Sequence, residues 1–362
     1  LIFQNRFVIS PILRIFAAAF HKGKAMENPF VIRAYESKDL FCDREEELQL
    51  MLRNCVNNTD MTLISQRRMG KTGLILRLFD ELKETRPDIN TVYIDIFASR
   101  HIGDFIKLTA EAAMKSFQPK TSITLRGLFE FLDSQGERIV IAIDEFQQIR
   151  DYPELNMEAL LRTYIQQSRN LTFIFCGSKK HMMADIFANE KKPFYNSTAF
   201  MSLGKIPEAA YSAFIRRLLS ERQRSITDDA LQFILDWTRR HTYYTQQLCH
   251  TIYAGESLHI TIDDVKKACE QLMRQGEAVF LQYRQMLTDK QWNYLIAIAK
   301  EGSVSQITAS RFLKDHQIGT PSVSRRLADA LCEKGLLNDD VTLVGTSYSV
   351  SDVFLSRWME RL

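Results

Sequence analysis

Met61-Thr62-Leu63-Ile64-Ser65-Gln66-Arg67-Arg68-Met69-Gly70-Lys71-Thr72-Gly73-Leu74 is an apolar run that breaks into a short polar loop and resumes as a helical pattern. Leu74, Ile75, Leu78, Phe79 and Leu82 continue it at the spacing of one helix face. A strand, a tight loop ending Gly-Lys-Thr and a helix make an anion cradle, because the helix start aims unpaired amides and the positive end of its dipole at the loop. Gly70 lets the backbone approach a polyphosphate with no Cβ in the way. Lys71 brings a point charge to the β- and γ-phosphates, and Thr72 offers a hydroxyl to Mg²⁺. Ser65, Gln66, Arg67, Arg68, Met69, Gly70, Lys71, Thr72 and Gly73 are therefore the expected nucleotide-binding set. The usual pattern has glycine at both ends, and Ser65 stands at the first. That glycine mainly eases the exit from the strand, whereas Gly70 sits where bulk collides with phosphate.

A second element decides the reading. Arg138-Ile139-Val140-Ile141-Ala142-Ile143-Asp144-Glu145-Phe146-Gln147 is too apolar to face water on either side and ends abruptly in two carboxylates. It reads as a central parallel strand, and such strands release their functional side chains at the C-terminal edge of the sheet. Asp144 is expected to hold Mg²⁺, and Glu145 to orient and deprotonate an attacking water. Taken alone, the pair reads equally well as an acidic turn after a core strand. Both motifs in this order, with another strand and helix between them, favour a nucleotide site.

Further strands are expected at Thr91 to Phe97, Leu171 to Ser178 and Phe200 to Leu203. Helices are expected at Leu48 to Val56 (using Leu48, Leu50, Leu52 and Val56), Ile102 to Phe117, Leu125 to Leu132 and Met157 to Ser168. This alternation predicts an α/β fold, a parallel sheet with helices on both faces. Ser178, at the end of its strand, suits either a sensor of the γ-phosphate or attacking water, or a helix cap. After Ile206 four helices follow with no strand between them: Pro207 to Arg222, Thr227 to Arg240, Tyr243 to Ala254 and Ile262 to Tyr283. They predict a helical lid, locally basic at Arg216, Arg217, Arg222 and Arg224, as a solvated face or a phosphate sensor would be. Beyond Leu287, Thr288 and Gln291 make a capping box, and Trp292, Leu295, Ile296 and Ile298 an apolar face. Pro321 opens a further helix, Gly335 follows its end, and two strands form a hairpin, the pattern of a winged helix.

The 362 residues carry a formal charge of +3, too small by itself to imply a nucleic-acid or membrane partner. Six scattered cysteines show neither zinc spacing nor a disulfide framework. The apolar run Phe7 to Phe20 is too short to span a bilayer. Met26 is the expected start, leaving residues 1–25 without function, and free thiols with ATP-dependent chemistry point to the cytoplasm. The expected domains are 26–206, 207–285 and 286–362.

Together these features resemble the archaeal- and bacterial-type ATPases of the STAND branch of AAA-related P-loop proteins. The marks are Asn28-Pro29-Phe30, Phe41 to Leu48, the Walker A loop Arg67 to Thr72, the Walker B segment Asp144 to Gln147, Cys176-Gly177-Ser178, Thr238 to Gln246, Leu287-Thr288 with Gln291, and Tyr348-x-Val350-x-Asp352. Relatives usually carry glycine and proline where this chain has Arg240 and Thr242. The resemblance implies an ASCE-type sheet, with another strand between the Asp144 strand and the loop strand. It implies ATP and Mg²⁺ as ligands, adenine near Phe30 and Tyr243, and Ser178 at the sensor position; Arg67 and Arg68 are candidates for phosphate contacts or for contacts in trans, though an exposed loop pair is the simpler reading.

Two functions compete. One is an ATP-hydrolysing switch in which the lid and winged helix respond to nucleotide, with a protein partner and a nucleotide-dependent oligomer. The other is a DNA-binding regulator that uses ATP with little turnover, reading DNA through Ser322, Ser324, Arg325 and Arg326. From Leu287 to Leu362 acidic and basic residues balance, with Asp339 and Asp340 in the wing, so the charge leans towards a protein contact. A scaffold that keeps ATP as structural glue is disfavoured by the intact Lys71, Thr72, Asp144 and Glu145.

Overall fold

The computed structural model describes residues 28–33, 35–114, 124–342 and 345–362. Residues 1–25 and the far end of the helix expected to reach Phe117 lie outside the described residues.

Five parallel strands form the central sheet: β1 (Met61–Ile64), β2 (Ile89–Asp95), β3 (Arg138–Asp144), β4 (Leu171–Gly177) and β5 (Ala199–Ser202), in the order β2-β3-β4-β1-β5. The strand between the two motif-bearing strands is thus β4. Alternation along a strand explains why β3 and β4 carry almost nothing polar. Ile139, Ile141 and Ile143 of β3 join Phe173 and Phe175 of β4 in one core, while Val140 and Ala142 join Ile174 and Cys176 in another.

Helices α1 (Glu45–Val56) and α2 (Lys71–Thr85) cover the second core; α3 (Ile102–Met114), α4 (Leu125–Asp133), α5 (Met157–Gln167) and α6 (Lys180–Ala188) cover the first. In α1 the buried face is Leu48, Met51 and Cys55, and Leu50 and Val56 stay exposed, contrary to the expected set. Residues spaced three and four apart share a face; Leu50 and Val56 are turned away from it.

The lid comprises α7 (Glu208–Ser220), α8 (Asp228–Trp237), α9 (Thr242–Tyr253) and α10 (Ile262–Met286). It does contain strand, contrary to expectation: β6 (Ser225–Ile226) pairs in parallel with β7 (His259–Ile260). Its arginines are engaged structurally. Arg216 pairs with Asp228, Arg217 and Arg222 with Glu221, and Arg224 donates to the carbonyls of Tyr253 and Gly255.

The winged helix follows as α11 (Asp289–Glu301), α12 (Ser310–Asp315), α13 (Pro321–Glu333), β8 (Leu337–Thr342) and β9 (Gly345–Val350). The capping box at Thr288 and Gln291 is formed, and Gly335 takes the left-handed φ of 70° that ends α13. A last helix, α14 (Val353–Met359), was not anticipated; the Asp352 carboxylate caps it by accepting from the amides of Phe354 and Leu355. It joins two domains. Phe354 packs on Trp237 and Tyr244 of the lid at ring distances of 5.4 and 4.8 Å, and Trp358 on Phe280 at 5.7 Å. Lid and winged helix therefore share one continuous apolar core. Among the described residues no helix is long and apolar enough to cross a membrane.

Candidate nucleotide site

The loop between β1 and α2 curls because Arg68 and Gly70 take left-handed φ values of 61° and 95°. Among the described residues the backbone amides of Arg67, Arg68, Met69 and Gly70 find no acceptor. Unpaired amides in a concave turn, ahead of a helix start, form a nest for an anion. Lys71 is buried, and its ammonium reaches only the Ser65 carbonyl and hydroxyl and the Gln66 carbonyl, at 3.3–3.4 Å. Burial lowers its pKa, against the pull of Asp144 and Glu145. No carboxylate pairs with it within 4.0 Å among the described residues, so its charge is left for a ligand.

Register brings Asp144 to the same edge. Its Oδ2 accepts from Thr72 Oγ1 at 2.8 Å and from Tyr93 OH at 2.9 Å, and its Oδ1 from the Glu145 amide at 3.0 Å. Burial and the Asp144 charge push the Tyr93 phenol upwards, so it stays a proton donor at neutral pH. Thr72 and Asp144 are hard oxygen donors side by side at a phosphate nest, a set that fits Mg²⁺. Glu145 leaves the sheet in a left-handed conformation, φ 54°. Its carboxylate accepts from Ser178 Oγ at 3.0 and 2.9 Å and from the Gln147 amide.

The lid grips the outer side of the loop. The His241 Nε2–H donates to the Arg67 carbonyl at 3.1 Å, Thr242 Oγ1 to that of Met69 at 3.3 Å, and the Tyr243 amide to that of Arg68 at 3.3 Å. The Arg68 guanidinium lies over the Tyr243 ring at 4.4 Å. Burial pushes the His241 imidazole down to about 4, so it is neutral at pH 7. Arg240 holds the left-handed conformation, φ 53°, which glycine adopts without steric cost. Thr242 occupies the first turn of α9, which suits proline, and uses its hydroxyl on the loop instead.

Between these parts lies a cleft of about 770 Å³, a size suited to a small-molecule ligand. Its lining combines Arg67 to Gly73, Asp144 and Glu145 of the ATPase domain with Val31 to Arg33 of the lead-in, His241 to Tyr244 and Gln246 of the lid, and Gly335, Leu336, Ser351 and Asp352 of the winged helix. Most of the anticipated residues thus meet in one cavity. Phe30 does not border it. Its ring is buried against Tyr253 at 6.3 Å, and its successors Val31 to Arg33 face the cleft. Ser65, Gln66 and Ser178 are not among the lining residues but bond to them, Ser65 and Gln66 by accepting from Lys71 and Ser178 by donating to Glu145.

Sequence reasoning assigned no role to Tyr93, Gln147 or His241, although Gln147 and His241 lie in quoted motifs. It also missed the contact of the wing with the ATPase domain. Asp340 accepts from Gln66 at 2.5 Å and from Lys180 at 2.6 Å, and Asp339 meets His181 at 2.6 Å. Ser324 is buried, donating to the Ile307 carbonyl and paired with Tyr294, so it faces no outside partner; Ser322, Arg325 and Arg326 are exposed.

Residues 41–200 match the family described as an ATPase domain predominantly from Archaea, and residues 278–361 match a probable winged helix domain. Among solved structures the chain is similar to a Walker-type ATPase from Pyrococcus abyssi, at 18% identity and TM-score 0.70, over 92% of this chain and 100% of that one. It is also similar to the ORC2 protein of Aeropyrum pernix, solved with ADPNP and ADP, at 13% identity and TM-score 0.61, over 92% and 96%. The ORC1 protein of the same organism, solved with DNA, gives 12% identity and TM-score 0.57 over the same shares. No curated protein matches the chain. Residues 41–200 therefore form a P-loop ATPase domain, whose chemistry is nucleotide binding and ATP hydrolysis, and a winged helix closes the chain.

Proposed function

We propose that this chain is a Mg²⁺-dependent ATP-hydrolysing switch in which the winged helix responds to the nucleotide held between the sheet and the lid. One observation carries it: Asp340 of the wing accepts both from Gln66 in the phosphate loop and from Lys180, two residues past Ser178. The wing rests on the two segments that a γ-phosphate would touch. A ligand shifts a domain equilibrium only through different contacts in its two states, and loss of the γ-phosphate would alter the contacts of both segments.

In this reading the loop amides and Lys71 bind the phosphates, with the base towards Tyr243 and the lead-in. Thr72 and Asp144 hold Mg²⁺, and Tyr93 fixes the Asp144 carboxylate. The ion held there would supply positive charge to offset that of the phosphates. Glu145 orients the attacking water and takes its proton, and Ser178 senses the γ-phosphate. STAND and AAA kinship, a cytoplasmic site, the domains 26–206, 207–285 and 286–362, and a nucleotide-dependent oligomer belong to the same proposal.

Glu145→Gln should lower ATP turnover by about 100-fold or more while ATP binding persists. Unchanged turnover would remove Glu145 from the mechanism.

A DNA-binding regulator is the second reading, favoured by exposed Arg325 and Arg326 and by likeness to a protein solved with DNA. Against it, the wing acids are engaged with the ATPase domain and Ser324 is buried. A protein partner is the better fit. DNA affinity that falls with added salt, measured with and without ATP, would reverse that preference.

A further inference from the structure

Glu145 has two side-chain partners, and they differ in what else they can do. Ser178 reaches both carboxylate oxygens but has one hydroxyl proton to give, to Glu145 or to a γ-phosphate. The other partner is the Gln147 amide, which donates to Oε2. Gln147 is only 3% exposed, and its Oε1 is buried with no hydrogen-bond partner. An unpaired buried carbonyl opposes folding, so stability does not explain a glutamine here. The surroundings nonetheless make room for it. A Cβ on Gly177 would stand 2.3 Å from Gln147 Oε1 and 2.5 Å from Met183 Sδ, so β4 approaches Gln147 as closely as it does only through a glycine. Phe146 and Ile149, both fully buried in the 3₁₀ turn Phe146–Asp151, anchor the short segment that carries Gln147.

We propose that Gln147 is a positioning residue for hydrolysis. It holds Glu145 by Oε2, so that Oε1 is free to accept from the attacking water once Ser178 has turned to the γ-phosphate. This rests on the reading of Glu145 as the group that activates water. Without Gln147, the departure of Ser178 would leave the Glu145 side chain with no hydrogen-bond partner among the described residues.

The test compares ATP turnover, KM, ATP binding and thermal unfolding for Gln147→Met, which keeps the length and loses the donor. The expected result is a kcat lower by about 10- to 100-fold, the loss of one hydrogen bond to a charged group. KM and ATP affinity should stay within about twofold, and the unfolding midpoint should be equal or higher, because the unpaired carbonyl is gone. In the Glu145→Gln background Gln147→Met should cost nothing further. If Gln147→Met does not fold, Gln147→Leu, apolar and unable to donate, carries the same comparison. Wild-type or faster turnover, or an equal loss in the Glu145→Gln background, overturns the proposal. Should Glu145→Gln lose turnover while Gln147→Met does not, only the role of Gln147 fails; should Glu145→Gln keep it, the reading of Glu145 fails first.

Discussion

The lid and the wing both reach the phosphate loop, the lid through backbone carbonyls in a buried seam and the wing through carboxylates at a partly exposed one. His241, Thr242 and Tyr243 take the carbonyls of Arg67, Met69 and Arg68, and His241 is 7% exposed. Asp339 and Asp340 meet His181, Lys180 and Gln66, and the Lys180–Asp340 pair is about one-third exposed on each side. Neutral buried contacts persist in salt, whereas exposed ion pairs are weak and screened. The lid seam is a buried, salt-insensitive attachment to the loop, and the wing seam a partly exposed, screened one.

Acid should break the lid seam, with the largest effect. The unfolded chain takes up a proton on His241 near 6.5 and the folded chain only near 4, so between these values the unfolded state binds more protons. The contribution is complete above about pH 6.5 and is lost as the pH falls through about 4. The difference between the two values corresponds to roughly 3 kcal/mol. Asp60, pushed up to about 6 by burial, takes up a proton in the same window with the opposite sign, so the loss is read as the difference between wild type and a His241 variant in denaturant unfolding at pH 7 and pH 4.5. His241→Gln, which can still donate to the Arg67 carbonyl and does not titrate, should remove most of it; an unchanged pH dependence would take His241 out of the account.

Salt should separate the seams next. Asp340→Ala should cost about 1 kcal/mol or less, the range of exposed pairs, and the cost should shrink between low and high salt. The same variant should shift the rate of ATP turnover, since it frees Gln66 and Lys180 beside the loop and Ser178. A cost independent of salt, with turnover unaltered, would make the wing seam incidental to the site.

The two regions also differed in how far the sequence revealed them. The cradle and the Asp144 edge were legible because their chemistry is contiguous: Ser65 to Gly73 form one loop, and β3 ends on its own carboxylates. Parallel strand order followed from alternation with helices. The wing contact was not legible, since Gln66 and Asp340 are 274 residues apart and neither belongs to a motif that predicts the other. Asp340 read only as acid unsuited to DNA. Phe30 lies one step from the lining of the cleft, because a large aromatic is worth more buried against Tyr253 than facing water. In α1 the count of leucines misled in part: Met51 and Cys55 join Leu48 on the buried face. Tyr93 was visible only as alternation in β2, and its hydrogen bond to Asp144 depends on the pairing of two strands 51 residues apart.

The central claim is that nucleotide state governs whether the wing stays on the loop. It can be measured with spin labels at Val341 on the wing and Leu155 on the ATPase domain, both well exposed. The distance between them would be recorded in Glu145→Gln with ATP and Mg²⁺ and compared with ADP. Two distinct separations are the expected result. One unchanged distribution, with ATP shown to be bound, would contradict the switch.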